Sequence, residues 1–320
     1  MPTPTLTERA PSSPDGLTGV VNRRRRHGAG FGDAVDRHAA PIFLAPALVG
    51  VLLVDGFPLV YGLVISFFNH SLSNAHTRFV GLHNYAVALA DPSTWHSIWL
   101  SVIFTVASVA VSFVLGLVTA LLLNPAIPGR SVMRAIIIIP WAVPAFVAAL
   151  TWQWMYNDQF GIISALMERV GLHPPVWLSA QWAMFSLILV MVWKSFPFQV
   201  VLLLAGLQAI PDEIYEAAKT DGASVWRRFT TITMPLLAPV SAISVIMAAI
   251  NAFQYFPIPW ILTAGGPAGA TSVIPIQSFN LAFQAGQISQ GATLATIMFL
   301  LILVAASVYL WRYVKQVGEL

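Results

Sequence analysis

The sequence predicts an all-α membrane protein with six transmembrane helices. Of its 320 residues, 57% are hydrophobic and only 9% are charged, which leaves too little polar surface for a water-soluble protein of this size. The apolar runs are long and continuous, whereas the strands of an outer-membrane barrel would be short and alternating. The chain has no cysteine, which excludes a disulfide framework, a thiolate nucleophile and a Cys-based metal site.

Residues 1–40 are predicted to form a disordered, basic cytoplasmic tail. They are rich in Pro, Ser, Thr, Gly and Arg and lack apolar periodicity. The four consecutive arginines at 23–26 precede a membrane segment, where basic residues usually set orientation, so we expect no nucleic-acid partner. The first apolar run begins too late and is too long for the core of a cleaved signal peptide.

Residues 41–320 are predicted to form a single transmembrane domain. Six apolar runs are each close to the ~20 residues that cross a bilayer. They cover residues 42–68, 98–123, 135–155, 182–207, 236–256 and 294–313. Prolines interrupt several of these runs, which membranes tolerate where neighbouring helices or a cavity satisfy the freed backbone. The uncharged stretch 257–290 is predicted to be re-entrant or interfacial.

The basic residues predict the orientation of the six helices. Thirteen of the sixteen Lys and Arg residues fall on the side of the N-terminal tail. Only Arg78 and Arg169 fall on the other side, and Lys194 lies within a run. The positive-inside rule therefore predicts that both termini and the polar stretch 209–235 are cytoplasmic.

That polar stretch, residues 209–235, is predicted to be a helix-turn-helix. Pro211 suits the first turn of a helix, and two acidic residues follow it at the positive end of the helix dipole. Gly222 ends this helix, Ser224 caps a second one, and Pro235 closes it. Because two helices of about ten residues are marginal alone in water, we expect a partner protein to hold this loop.

The spacing within the loop carries a resemblance. Glu216-Ala217-Ala218 is followed by three residues, Gly222, nine residues, Ile232, one residue, and Met234-Pro235. This pattern closely resembles the EAA signature of permease subunits of binding-protein-dependent ABC importers. Met234 stands where Leu is usual, a conservative departure.

Flanking segments narrow the resemblance. Those at 79–85, 140–144, 193–198, 204–208 and 262–267 are similar to carbohydrate-uptake permeases of the maltose, trehalose and glycerol-phosphate type, specifically the first of two paired permeases. Ala264, where Gly is common, and Phe279, where Tyr is common, are departures. The resemblance implies a multi-pass protein of a bacterial or archaeal inner membrane with a sugar substrate.

The resemblance also implies partners and roles for the loop. An extracytoplasmic solute-binding protein delivers substrate, a second permease completes a heterodimeric pore, and two cytoplasmic ATPase subunits bind ATP and Mg. Glu216 would meet a basic residue of the ATPase, Ala217 and Ala218 would allow close approach, Asp221 would belong to the same contact, and Gly222 would provide the bend.

The chain itself is predicted to be a transport subunit and not an enzyme. None of its three lysines follows a glycine, so it has no phosphate-binding Gly-Lys-Ser/Thr loop, and we expect no bound cofactor or metal. An alternative from another class is an intramembrane enzyme with Asp55 as a catalytic carboxylate. It lacks a second catalytic group and leaves the 209–235 loop unexplained.

Polar residues within the apolar runs are the candidate translocation path. Lys194, Ser195 and Phe198 share one helical face before the loop, and Asn251 and Gln254 share one after it. The resemblance implies that these positions face the cavity, where amides, charges and aromatic rings suit a hydroxyl-rich solute.

Other readings of these residues stay open. Asp55 is also a candidate for the path, but it could instead pair with Lys194, which could also snorkel. Asn251 and Gln254 could bond between helices. The solute could be a glycerol phosphate, a polyol or another polar compound if Lys194 meets an anion.

Overall fold

The computed structural model describes residues 44–72, 74–125 and 128–318, so the predicted tail at 1–40 lies outside the described residues. The contacts between residues divide the chain into two units, with the boundary between Phe57 and Pro58. Of the first unit, the structure describes residues 44–57, which form the first part of a helix; all other elements belong to the second unit.

The described chain is mainly helical. In chain order the elements are α1 (Leu44–Ile65), β1 (Phe68–Ser71), β2 (Asn74–Phe79), α2 (His83–Ala90), α3 (Pro92–Leu123), α4 (Arg130–Ala142), α5 (Ala145–Met155), α6 (Ile162–Arg169), α7 (Ala183–Gln208), α8 (Asp212–Thr220), α9 (Val225–Phe253), α10 (Pro257–Thr263), α11 (Ile274–Phe279) and α12 (Ile288–Gly318). Helices α1, α3, α7, α9 and α12 are each long and apolar enough to cross a membrane.

The third predicted span is broken. Helices α4 and α5 meet at an angle of 92°, within the run 135–155 that Pro140 and Pro144 were predicted to interrupt. Val143 is extended and Pro144 caps α5, because Pro144 has no N–H with which to continue the ladder of α4.

The bent pair nevertheless connects the two ends of the bundle. Near its start, Arg134 Nη2 donates to Leu123 O at the end of α3 (3.2 Å). At its end, Tyr156 Oη donates to Ser186 O near the start of α7 (3.1 Å). Counted as one broken span, the pair gives the six spans that the sequence predicts.

Helix α7 lies at the centre of the packing. Half of its most apolar 18-residue segment is buried inside the protein, which is the largest buried fraction among the five single-helix spans. Leu187, Val190 and Leu203 are wholly enclosed by neighbouring helices, as is Leu237 of α9. Both α3 and α9 pack along α7, so a shift of α7 would be felt by both of these spans.

A β-hairpin that the all-α prediction did not include follows α1. Strands β1 and β2 pair antiparallel. Asn84 at the start of α2 donates to Ser66 O (2.8 Å) and Phe68 O (2.7 Å), and Leu72 N donates to Gly286 O (2.8 Å). Residues 68–79 lack the alternation of a half-buried strand, so the sequence does not signal the hairpin.

The uncharged stretch 257–290 contains two short helices, α10 and α11. Its turn is closed by Thr271, whose Oγ1 donates to Gly266 O (2.7 Å) and shares a hydrogen bond with Thr263 Oγ1 (2.7 Å). Ala264 adopts left-handed backbone angles (φ 49°), which explains why Gly is favourable there. The Phe279 ring packs against Trp260, with centroids 4.6 Å apart.

The stretch 209–235 forms the helix-turn-helix, with two corrections. Pro211 lies at the N-cap position, one residue before α8, and not in its first turn, because its backbone is extended. As predicted, Gly222 takes φ 77° at the turn, and Ser224 Oγ accepts from Arg227 N (3.3 Å). Pro235 does not close the second helix, because α9 continues to Phe253.

A π-helical turn lets α9 continue through Pro235, the first of its two prolines. In residues Phe229–Thr233 the bonding shifts by one residue, and Met234 N donates to Phe229 O. Pro235, which has no N–H, therefore lies where the backbone hydrogen bonds of the helix change from the π-helical to the α-helical pattern. The same arrangement occurs in α1, where the π-helical turn Leu52–Gly56 precedes Pro58.

Candidate functional site

The break between α4 and α5 forms one wall of a cavity of about 490 Å³. Helices α3, α7 and α9 supply the other walls. The polar and aromatic members of its lining are Ser108, Ser112, Trp141, Lys194, Ser195, Phe198, Asn251 and Tyr255. Four of the six residues predicted to form the translocation path therefore lie around one space.

Lys194 crosses from α7 to the break. Its Nζ donates to three backbone carbonyls, those of Pro140 (3.2 Å), Trp141 (3.0 Å) and Val143 (2.7 Å). These carbonyls belong to the end of α4, where the last turn has no helical donors and carries partial negative charge. The ammonium thus caps a helix terminus within the membrane-spanning part of the protein.

Aromatic residues flank this lysine on α7. The Trp193 ring packs edge-on against Trp152 of α5, with centroids 5.7 Å apart. One turn further along, Phe198 stacks with Trp141 of α4 at 6.4 Å. Helix α7 therefore contacts both halves of the broken span and the break itself. This contact joins two of the sequence segments that carry the family resemblance, 140–144 and 193–198.

The cavity combines aromatic faces with small polar groups. Trp141 is 56% exposed and turns one side of its ring to open space. Ser195 Oγ donates to Met191 O in its own helix (2.7 Å), which leaves its oxygen able to accept a hydrogen bond. Asn251 of α9 is exposed and also lines the cavity. Such a lining can pair with hydroxyl groups and cover the apolar face of a ring.

Sequence reasoning missed several lining residues. Ser108 and Ser112 lie one turn apart on α3, and a serine in an apolar run carries no distinctive signal. Trp141 lies within the segment 140–144 that carries the family resemblance, so that segment could have suggested Trp141 as a lining residue. Tyr255 follows the end of α9 and lies beside a residue that the prediction included.

Two predicted path residues lie elsewhere. Gln254 is the C-terminal cap residue of α9, is exposed, and does not belong to the described lining of the cavity. Asp55 belongs to the first unit, where its side chain is exposed in the π-helical turn of α1.

The predicted coupling residues form an exposed surface on α8 and its turn. Glu216, Ala217, Asp221 and Gly222 are exposed, and Ala218 is half-buried. The helix is fastened to the rest of the protein from its other side. There, Tyr215 Oη shares a hydrogen bond with Thr233 Oγ1 of α9 (3.0 Å). Because α9 continues to Asn251, a displacement of α8 has a continuous helical route to the cavity.

A family model for the inner membrane component of binding-protein-dependent transport systems matches residues 112–316. The chain belongs to this family. The matched residues include the loop 209–235 and most of the cavity lining, so the family match and the candidate site cover the same part of the molecule.

Relatives within this permease family are similar over nearly their whole length. The trehalose/maltose transport system permease of Thermococcus litoralis is 40% identical over 84% of this chain and 91% of its own. The sulfoquinovosyl glycerol transport system permease of Agrobacterium fabrum is 35% identical, over 87% and 91%. The diacetylchitobiose uptake system permease of Streptomyces coelicolor is 32% identical, over 97% of each.

A solved structure has the same fold. A chain of a bacterial ABC transporter involved in the import of the acidic polysaccharide alginate superimposes with a TM-score of 0.77 and 18% identity, covering 89% of this chain and 98% of that one. The predicted all-α fold of an ABC importer permease is confirmed, with the hairpin as an addition. Membership in this family also counts against the intramembrane enzyme, because these proteins are transport components.

Proposed function

We propose that this chain is one of two different permease subunits of an ABC importer that carries a sugar or oligosaccharide across the inner membrane. The observation that carries the proposal is the cavity at the break, with Trp141 and Phe198 beside the serines and Asn251. Aromatic rings cover the apolar faces of sugars, while hydroxyl and amide groups exchange hydrogen bonds with their hydroxyls. The names of all three relatives above refer to carbohydrates or their glycosides.

The transport cycle begins with delivery of the solute by an extracytoplasmic binding protein. A solved alginate transporter was determined in complex with an alginate pentasaccharide-bound periplasmic protein, which supports this step by analogy. The solute then enters the cavity, which this chain shares with a second permease. Both termini of this chain are cytoplasmic in the proposed orientation.

The energy comes from a separate ATPase that holds the loop of residues 209–235. Glu216 offers its carboxylate to a basic residue there, while Ala217 and Ala218 let the two surfaces approach. Asp221 extends the acidic side of the contact, and the positive φ of Gly222 sets the turn. ATP and Mg bind to that partner, and this chain transmits its motion through α8 and α9.

A glycerol phosphate or another anionic solute is the weaker candidate. Among the described residues lining the cavity, Lys194 alone carries a formal charge, and its three donors are directed at backbone carbonyls. An anion would have to compete with the end of α4 for that charge.

Uptake in cells that express the complete transporter tests the proposal. We expect ATP-dependent uptake of at least one of labelled trehalose, maltose and diacetylchitobiose, and copurification of a second permease and an ATPase with this chain. Uptake of glycerol 3-phosphate, with none of the saccharides transported, would contradict the sugar assignment.

A further inference from the structure

The three hydrogen bonds of Lys194 use all three N–H donors of its ammonium group. An ammonium group carries three N–H donors and no acceptor. Three carbonyl oxygens receive them, at 2.7, 3.0 and 3.2 Å from Nζ. The charge is therefore directed at the protein's own backbone, although Lys194 lines the cavity.

These carbonyls need such a partner because of Pro144. A carbonyl within an α-helix accepts from the N–H four residues later, and for Pro140 O that residue is Pro144, which has none. The amide of Val143 bonds back to Ile139 O (3.2 Å), and the next helical bond is from Ala148 N to Pro144 O (3.0 Å). Without the ammonium of Lys194, the carbonyls of Pro140, Trp141 and Val143 would have no described donor from the protein.

We propose that Lys194 is a positioning residue that holds the break in the third span and thereby fixes Trp141, Val143 and Pro144 as a wall of the cavity. It does not serve as a counter-charge for an anionic solute. The inference rests on the proposed function only where solute uptake is used as a readout, because the geometry of the break can be measured in the protein itself.

The neighbouring contacts fit this role. Trp193 holds α5 through Trp152, and Phe198 holds the end of α4 through Trp141, so Lys194 lies between two apolar contacts with the two halves of the span. Apolar contacts fix how close the helices lie, while directed hydrogen bonds fix the carbonyls at the bend. Loss of the lysine should therefore loosen the bend before it separates the helices.

Distance measurements between spin labels test the proposal directly. The chain has no cysteine, so cysteines introduced at Ile139 on α4 and Leu150 on α5 would be the only ones in it. Both side chains are exposed and outside the cavity lining, at 55% and 44% exposure. In the complete transporter, Lys194→Met should broaden or shift the distance distribution, whereas Lys194→Arg should restore it because a guanidinium also donates to carbonyls.

Lys315→Met is the matched control, because it makes the same change on an exposed lysine near the end of α12. It should leave the distances unchanged. If Lys194→Met also leaves them unchanged, the positioning role is wrong.

Uptake provides the second readout. With trehalose, maltose and diacetylchitobiose as neutral probes and glycerol 3-phosphate as the anionic probe, Lys194→Met should reduce the transport of every probe that the wild type carries by a similar factor, tenfold or more. Lys194→Arg should stay within about threefold of wild type. Selective loss of glycerol 3-phosphate uptake would overturn the proposal and make Lys194 a counter-charge.

The two proposals fail separately. If the wild type carries no saccharide but Lys194→Met still alters the distances, the sugar assignment fails and the positioning role stands. If the wild type carries saccharides and Lys194→Met leaves the distances unchanged, the sugar assignment stands and the positioning role fails.

Discussion

Gly206 of α7 lies directly against Leu237 of α9: a Cβ at position 206 would come within 2.7 Å of Leu237 Cδ1 and 3.1 Å of Val240 Cβ. Leu237 is fully buried, so it has little space into which to move. This contact joins α7, which ends just before the loop 209–235, to α9, which includes the second half of that loop.

Gly206→Ala should therefore destabilise the protein. Adding a methyl group to a well-packed contact costs about 1–3 kcal/mol. Thermal unfolding of the purified transporter should show a lower midpoint. Gly62→Ala is the control, because a Cβ at this helical glycine of α1 meets nothing within 4 Å. Equal midpoints for the two variants would mean that the α7–α9 contact adjusts without cost.

Glu216→Lys should abolish uptake while the protein stays in the membrane. The variant reverses the charge of an exposed carboxylate on α8, so a basic ATPase residue would be repelled. Uptake, membrane content and copurification of the ATPase are the measurements. Glu168→Lys makes the same change on exposed α6 and should transport normally. Normal uptake by Glu216→Lys would remove this carboxylate from the coupling role.

Trp141→Ala should reduce saccharide uptake by about tenfold. The ring stacks on Phe198 and faces the cavity, and an aromatic contact contributes about 1 kcal/mol beyond its buried area. Trp141→Phe should recover most of the activity because it keeps an aromatic face. Trp99→Ala, on an exposed position of α3 outside the cavity, is the control. An aromatic surface for the solute is excluded if Trp141→Ala and Trp99→Ala transport equally well.

Asn84→Ala should loosen the segment that follows the C-terminal end of α1. The variant removes the donor to Ser66 O and Phe68 O, and an unsatisfied buried polar group costs about 1–3 kcal/mol. We expect a lower unfolding midpoint and faster amide exchange in β1. Asn69→Ala, at an exposed position of β1, should leave both unchanged. The anchoring role would be refuted by an unaltered midpoint in Asn84→Ala.

The positions of the spans could be predicted from the sequence because bilayer thickness imposes a length on every apolar run. Five of the six predicted runs correspond to single helices, with ends displaced by at most six residues except at α9, which begins eleven residues before the predicted run. The bend after Val143 could not be predicted, since a proline in a membrane helix produces a slight kink or a complete break according to what satisfies the freed carbonyls.

The candidate site was predictable only in part, for a related reason. Lys194 was an evident candidate because a charge at membrane depth is costly. Its partners were not evident, because they are backbone carbonyls, which every residue has and no side chain reveals. Ser108 and Ser112 join the lining only through the way α3 packs, which helical spacing alone does not determine.

The π-helical turn at Phe229–Thr233 sets the rotational register of α9. One extra residue per turn rotates everything beyond it by about 100° around the helix axis. The first turn of α9, Val225–Arg228, and the part that presents Asn251 to the cavity therefore face directions that a regular α-helix of the same length could not combine. Because this turn holds one residue more than an α-helical turn, deletion of one residue within it should convert it into a regular turn and leave the direction of Asn251 unchanged. The same deletion in the regular part of α9 before Asn251 would instead turn Asn251 away from the cavity.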